Sequence, residues 1–237
     1  MKIIGKVHCL FEQSGTFRDE FRRLNYTALD YDIANEFGKT DVVCDIFRLL
    51  DEWRCGVNSL LNDFTPEDFL MIFFPCTYFS SQSQAQFLWN NQCYKGMTPG
   101  LKVEKILERS AMREIYYRRL VTLYGFLIER GLRAVIENPW GKSTSFLCNN
   151  FVVSPDVIDT NRRKRGDWFR KPTAYWFVNC APGKGRTYLC PSQYKTVESE
   201  DYGIARSLIS PDYARAFIKD YILHEPSDDP QQLLNFD

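Results

Sequence analysis

One thiol in this chain follows a proline directly after an apolar run. Residues 74–80 read Phe-Pro-Cys-Thr-Tyr-Phe-Ser, and residues 69–73 before them are all apolar. The run predicts a buried strand, so Cys76 should lie where the chain leaves a sheet, and the carboxyl ends of parallel strands are where open α/β sheets bind ligands. A thiolate held there is a strong nucleophile toward an electron-poor ring. The alternative is a small apolar core side chain, because cysteine is among the most buried residue types.

A carboxylic acid at another strand end is the second candidate. Glu137 ends an apolar strand pattern and precedes Asn138 and Pro139. Proline removes a backbone donor and makes the residue before it extended, so the pattern predicts that the chain turns here and leaves the sheet. A carboxyl group partly buried at this point has a raised pKa and can donate a proton or a hydrogen bond. The alternative is a surface acid.

Three earlier strand ends carry residues suited to a nucleotide-like ligand. Gly15 permits a tight turn after the first strand, and the next helix should present free backbone N–H groups to a carboxylate or phosphate. Asp30 and Asp32 follow the second strand and can accept hydrogen bonds from ribose hydroxyls. Asp45 follows the third strand and can accept one from an adenine amino group. The alternatives are a plain turn, solvated loop acids and, for Asp45, an N-cap of the next helix.

The chain has one dense basic block. Residues 161–165 read Asn-Arg-Arg-Lys-Arg, and Arg170 and Lys171 follow, with Trp168 and Phe169 between them. Guanidinium groups and aromatic rings together suit phosphates and unstacked bases. The alternative is a solvated loop, which is the usual setting of a charge run.

Strand and helix patterns alternate along the chain. Their order predicts an α/β fold with a doubly wound, mostly parallel, Rossmann-like sheet. Residues 80–100 are polar and predict a loop or mobile lid. The predicted strands cover residues 3–10, 26–29, 41–44, 69–74, 133–136 and 175–178, and the predicted helices cover 16–24, 46–53, 101–130 and 212–223.

Length and composition bound the class of protein. The 237 residues predict one domain over residues 1–237, and 30 basic against 30 acidic side chains give no support to nucleic-acid binding from net charge. No apolar run approaches the ~18 residues that a membrane span needs. The eight cysteines have no CxxC spacing and the start of the chain does not read as a signal peptide. We therefore expect a cytoplasmic protein with reduced thiols, no membrane association and no metal.

In their order, these motifs resemble those of the cytosine-5 DNA methyltransferases. Residues 11–18, Phe-Glu-Gln-Ser-Gly-Thr-Phe-Arg, resemble the cofactor turn Phe-x-Gly-x-Gly-Gly-Phe-Arg, with Gln13 and Thr16 in place of two glycines. Residues 32–33 and 45–46 resemble the acidic ends of the second and third strands. Residues 74–80 resemble the nucleophile motif Pro-Pro-Cys-x-x-Phe-Ser without its first proline.

The later motifs resemble small phage-type members in particular. Residues 137–139 resemble the Glu-Asn-Pro form of the Glu-Asn-Val motif, and residues 161–165 resemble Gln-x-Arg-x-Arg with asparagine for glutamine. Residues 170–176 resemble the Lys-Pro-Thr-x-x-Trp segment, and residues 206–211 resemble the lead-in to the terminal helix. The resemblance spans residues 3–223. Where full-size members carry a target-recognition domain, this chain has only a reduced segment over 181–203.

The resemblance implies transfer of a methyl group from S-adenosyl-L-methionine to carbon 5 of cytosine in DNA, single- or double-stranded, through a covalent cysteine adduct. Specificity then has to be slight, or come from the segment after Ser80 or from a protein partner. The alternative is a catalytically altered module of the same fold that binds nucleic acid or a protein. The site residues implied are Cys76, Glu137, Arg163 and Arg165 for catalysis, Phe11, Gly15, Asp32, Asp45 and Pro75 for the cofactor, and Ser80, Arg162, Lys164, Arg170 and Lys171 for nucleic acid.

Overall fold

Helices and strands alternate along the chain in the computed structural model, which describes residues 1–141, 144–191 and 208–224. Short 3-10 turns cover Leu60–Asp63, Gln92–Tyr94 and Arg162–Lys164, and a π-helical turn covers Ile218–Leu223. The strands are β1 (Val7–Leu10), β2 (Ala28–Asp32), β3 (Val42–Val43), β4 (Phe69–Ile72), β5 (Arg133–Pro139), β6 (Val157–Asp159) and β7 (Thr173–Val178). The helices are α1 (Thr16–Arg23), α2 (Ile46–Arg54), α3 (Ser81–Ala85), α4 (Pro99–Glu129), α5 (Leu147–Asn150) and α6 (Pro211–Phe217).

The strands form one seven-stranded sheet in the order β3-β2-β1-β4-β5-β7-β6. The pairs from β3 to β5 are all parallel, whereas β7 runs antiparallel to both of its neighbours, β5 and β6. This confirms the predicted doubly wound, mostly parallel, Rossmann-like sheet. The sequence did not predict β6, which has only three residues.

The strand order reverses between β1 and β4. The chain passes outward from β1 to β3, then returns and passes outward in the other direction from β4. At such a reversal the connections diverge, which opens a crevice at the carboxyl ends of the two strands. Leu10 and Ile72 are paired at these two ends, so a ligand site is expected just beyond them.

Helices cover both faces of the sheet. Alternate residues of a strand point to opposite faces, and in β4 Leu70 belongs to one apolar cluster and Met71 to the other. The first cluster contains α2 and α4 residues such as Leu49 and Phe126, and the second contains α1 and α6 residues such as Phe17. Burial on both faces explains why the central strands read as continuous apolar runs in the sequence.

Strand β5 extends further than the sequence predicts. Glu137, Asn138 and Pro139 continue the strand and pair with residues 173–175 of β7, so the prediction that the chain leaves the sheet here is wrong. Strand β4 ends at Ile72, opposite Ile136, so within the described part of the chain β7 is the only strand paired with this part of β5. A proline is tolerated where a strand is paired on one side only.

The segment 80–100 is more regular than the predicted loop. It contains α3 and a 3-10 turn, and Pro99 is the first residue of α4. Polar side chains cap the N-termini of α3 and of the 3-10 turn. Ser80 Oγ accepts from Ser83 N at 3.2 Å, and Asn91 Oδ1 accepts from Cys93 N at 3.0 Å. Polar residues of this kind favour loops and helix caps alike, so composition did not separate the two.

The described part of the reduced recognition segment packs on the π-helical turn Ile218–Leu223. Gly183 N donates to Tyr221 O at 2.9 Å, and Thr187 Oγ1 donates to Asp220 Oδ1 at 2.7 Å. Residues 192–203, and residues 206–207 of the lead-in to the terminal helix, lie outside the described residues. Within the described ranges, no helix is both long and apolar enough to cross a membrane.

Candidate active site

A cavity of about 550 Å³ lies beyond the carboxyl ends of the first five strands. This volume is within the range of small-molecule sites, and the position is the one that the reversal of strand order indicates. Residues far apart in sequence meet there. The predicted site residues that line it are Phe11, Asp32, Asp45, Pro75, Cys76, Glu137 and Lys171.

Cys76 lies on a turn that buried aromatic rings hold in place. Its carbonyl oxygen accepts from the backbone N–H groups of Phe79 and Ser80, at 3.0 and 3.2 Å. Phe74 and Phe79 are buried and their ring centroids are 6.2 Å apart, so both ends of the turn are anchored in the core. Burial raises the pKa of the Cys76 thiol, and the nearby charge of Lys171 partly opposes that rise.

Glu137 is buried in the wall of the same cavity. Burial raises the pKa of its carboxyl group, while the charges of Lys171 and Arg162 oppose that rise. Asn138 connects the two motifs, because its side-chain amide donates to the carbonyl of Phe74 at 2.8 Å, two residues before the thiol. The site can therefore present the Glu137 carboxyl group and the Cys76 thiol to one ligand.

The two acids of β2 and the acid that follows β3 differ in burial and in their hydrogen-bond partners. Asp30 is fully buried and pairs with Arg18 at 2.8 Å, whereas Asp32 lines the cavity and accepts from Ala34 N at 2.8 Å. Burial raises the pKa of Asp32. Asp45 Oδ1 accepts from Phe47 N at 3.0 Å and also from the next backbone N–H, so it is an N-cap as well as part of the cavity wall.

Phe11 forms an aromatic wall in a strained backbone conformation. Its φ angle is 59°, in the left-handed region that residues other than glycine rarely adopt. The ring packs against Phe47 and Phe74 at centroid distances of 5.1 and 5.6 Å. Strain of this kind persists where the surrounding structure holds it, and it is concentrated at ligand sites.

The start of α1 differs from the expectation of free backbone N–H groups. The carboxyl group of Glu12 accepts from Phe17 N at 2.8 Å and from Arg18 N at 3.3 Å, so two of these groups are taken. The expectation requires correction, because a side chain of the turn caps the helix. Sequence reasoning passed over Glu12, although an acid just before a helix is a recognised capping signal.

Gly15 makes the predicted turn before α1. Its φ angle is 70°, which allows the chain to enter α1, and a Cβ there would meet the Arg18 guanidinium at 2.3 Å. Gly15 is not among the residues that line the cavity, so its lack of a side chain makes room for Arg18 and not for a ligand.

Because of Glu12, the free energy of unfolding should fall as the pH rises. Burial raises its pKa from 4.5 to about 7, so between these values the folded protein holds a proton that the unfolded chain has lost. The stabilisation is complete below 4.5 and is lost as the pH passes about 7. Burial lowers the pKa of His8 from 6.5 to about 4, which acts in the opposite direction.

Comparison with Glu12→Gln separates the two effects. We expect the unfolding free energy of the wild type, minus that of Glu12→Gln, to fall by roughly 2–3 kcal/mol between about pH 5 and pH 7.5. Urea denaturation at a series of pH values measures this difference. If the difference in unfolding free energy between the wild type and Glu12→Gln stays constant over that range, the fold does not shift the pKa of Glu12.

The basic block divides into buried, ion-paired and exposed residues. Arg162 is fully buried and its guanidinium pairs with Asp167, 0% exposed as well. The expectation that Arg162 contacts nucleic acid requires correction, because no part of the side chain reaches the surface. Lys164 and Arg170 are exposed and remain open to a polyanion.

The two arginines predicted to be catalytic lie outside the cavity lining. Arg165 pairs with Asp220 at 2.7 Å and with Asp159 at 3.3 Å, and so joins β6 to the end of the chain. Arg163 Nε donates to the carbonyl of Trp168 at 3.1 Å. Within the basic block, Lys171 is the member that lines the cavity, and the catalytic role of the two arginines stays a prediction. Ser80, predicted to contact nucleic acid, caps α3.

The fold and site together define an α/β protein with a ligand cavity at the switch point of a doubly wound sheet. No family model matches the chain, and a search of curated proteins finds no match.

Proposed function

We propose that the protein transfers a methyl group from S-adenosyl-L-methionine to carbon 5 of cytosine in DNA through a covalent adduct with Cys76. The observation that carries the proposal is that Cys76 and Glu137 line one cavity with the acidic and aromatic residues of the first three strand ends. The resemblance of the motifs to those of cytosine-5 DNA methyltransferases supports the same conclusion.

The cavity suits the nucleoside part of the cofactor. Asp32 ends β2, where acids accept hydrogen bonds from ribose hydroxyls in dinucleotide-binding folds. Phe11 and Phe47 offer ring surface for an adenine, and Asp45 is close to that surface at the end of β3. Bound there, S-adenosyl-L-methionine would supply a sulfonium methyl group to carbon 5 and would leave as a neutral thioether.

The protein's own groups activate the base. The thiolate of Cys76 bonds to carbon 6, and Glu137 gives its proton to ring nitrogen 3, so that an electron pair is available at carbon 5. Burial raises the pKa of the Glu137 carboxyl group, which favours the protonated form that this step needs. After methylation the proton on carbon 5 passes to water, the bond from sulfur to carbon 6 breaks, and Glu137 recovers its proton.

The substrate must be unpaired at the target. Carbons 5 and 6 of a stacked cytosine are out of reach of a thiol in a cavity wall, so the base has to leave the duplex, at a cost of a few kcal/mol unless the DNA is single-stranded. Exposed Lys164 and Arg170 are the members of the basic block best placed to hold the phosphates.

Calorimetry with S-adenosyl-L-methionine tests the cofactor assignment. We expect Asp32→Asn to weaken binding by about 10-fold or more, because the amide replaces a charged acceptor for the ribose hydroxyls. Asp63→Asn is the matched control, since Asp63 is exposed on the 3-10 turn before β4, and it should bind as the wild type does. Absence of binding to the wild type at millimolar cofactor would contradict the proposal.

One observation favours a second candidate, a binding module without catalysis. Glu12 occupies N–H groups at the start of α1, where an amino-acid carboxylate would otherwise be expected to bind. If this capping excludes the cofactor, the cavity and the exposed basic residues still suit nucleic acid. DNA binding without cofactor binding or methyl transfer would support this candidate.

A further inference from the structure

Among the described residues that line the cavity, Lys171 is the only lysine or arginine. It shares the cavity wall with Cys76 and Glu137. We propose that Lys171 is the cation that stabilises the thiolate form of Cys76, and so sets the reactivity of the nucleophile. Its place in methyl transfer rests on the proposed function, whereas its effect on the thiol does not.

A rigid strand holds Lys171 in position. The residue lies two positions before the first residue of β7, and Thr173 there pairs with Pro139 of β5. Between them, the carbonyl of Pro172 accepts from Trp140 N at 2.8 Å. The lysine is therefore tied to the same end of β5 that carries Glu137, and β5 is the neighbour of the strand that leads to Cys76.

Lys171 lies among charges of both signs. Burial and the nearby Arg162 lower the pKa of Lys171 overall, and the negative forms of Glu137, Cys76 and Asp167 oppose that fall. In turn the Lys171 charge lowers the pKa of Cys76, against burial and the Glu137 charge. Since burial disfavours either charge alone, the thiolate and the ammonium stabilise one another.

The rest of the basic block does not replace this cation. Arg162 is paired with Asp167, and Arg165 is paired with Asp220 and Asp159. Neither lines the cavity. Desolvation raises the pKa of the Cys76 thiol even beside Lys171, so loss of that cation would leave still less thiolate at neutral pH.

Alkylation of Cys76 by iodoacetamide tests the inference without DNA or cofactor. The thiolate displaces iodide, so the rate follows the thiolate fraction. The full chain is treated over a pH series and the Cys76 peptide is quantified by mass spectrometry. In Lys171→Gln we expect the midpoint of the Cys76 profile to rise by about one pH unit and the rate near pH 7.5 to fall about 10-fold. Lys171→Arg should keep most of the wild-type rate.

Controls are present within each sample. Cys55 and Cys93 are exposed and should react equally in all variants, whereas buried Cys9 should stay unreactive unless the fold is lost. Arg170→Gln removes a neighbouring exposed charge and should change the Cys76 rate less than 2-fold. If Lys171→Gln exposes Cys9, Lys171→Met takes its place, because it keeps the aliphatic stem.

The inference would be overturned if Cys76 alkylation had the same pH dependence in the wild type and in folded Lys171→Gln or Lys171→Met. The result is separable from the proposed function. A shifted alkylation profile without methyl transfer in the wild type would support Lys171 and contradict the methyltransferase. Methyl transfer with an unshifted profile would support the enzyme and reject this role of the lysine.

Discussion

Cys76→Ser should transfer methyl groups to DNA at least roughly 10³-fold more slowly than the wild type, because a serine hydroxyl is scarcely ionised near neutral pH and is a much weaker nucleophile toward carbon 6. Transfer of labelled methyl groups from S-adenosyl-L-methionine to DNA measures the loss. Cys93→Ser is the matched control, since Cys93 is exposed and lies outside the cavity lining, and it should be as active as the wild type.

The covalent adduct gives an independent readout of the same variant. DNA that contains 5-fluorocytosine should trap the wild type in a complex that survives denaturation, because carbon 5 has no proton to lose and the bond from sulfur to carbon 6 cannot break. Cys76→Ser should form no such complex. Equal methyl transfer by the wild type and Cys76→Ser would remove Cys76 from the mechanism, and a trapped complex with Cys76→Ser would assign the adduct to another residue.

Arg162→Met should destabilise the fold by about 3–5 kcal/mol, because it leaves the fully buried Asp167 carboxylate without its cation. The Arg162 guanidinium also lies 4.0 Å from Glu137, so the loss should be felt at the cavity wall. Urea denaturation at neutral pH measures the change. The expected effect is large because breaking a buried ion pair leaves an unpaired charge, whereas the intact pair contributes little net stability.

Arg170→Met is the control for Arg162→Met. Arg170 belongs to the same basic block but is exposed, so its replacement should change stability by less than about 0.5 kcal/mol. The double variant Arg162→Met/Asp167→Leu should recover much of the loss, because neither charge is then buried alone. Equal stability of Arg162→Met and Arg170→Met would show that the buried pair does not hold the fold.

Local patterns in the sequence determined the sheet class and drew attention to Cys76 and Glu137. The apolar run before Cys76 is continuous because helices cover both faces of β4, and this made the strand and its carboxyl end visible. Glu137 follows a similar run. Parallel strands bring their carboxyl ends to one edge, so two strand-end residues distant in sequence were expected near each other, and both line the cavity.

Tertiary contacts decided which charged side chains are buried, which form ion pairs and which line the cavity. Residues 162–165 form one run in the sequence, yet Arg162 pairs with Asp167 inside the core while Arg165 pairs with Asp220, far along the chain. The direction of β7 carries Lys171 into the cavity, and no local pattern contained that direction. Apolar periodicity is a property of neighbouring residues, whereas the partner of a charge depends on which distant segment packs against it, and only the folded chain decides that.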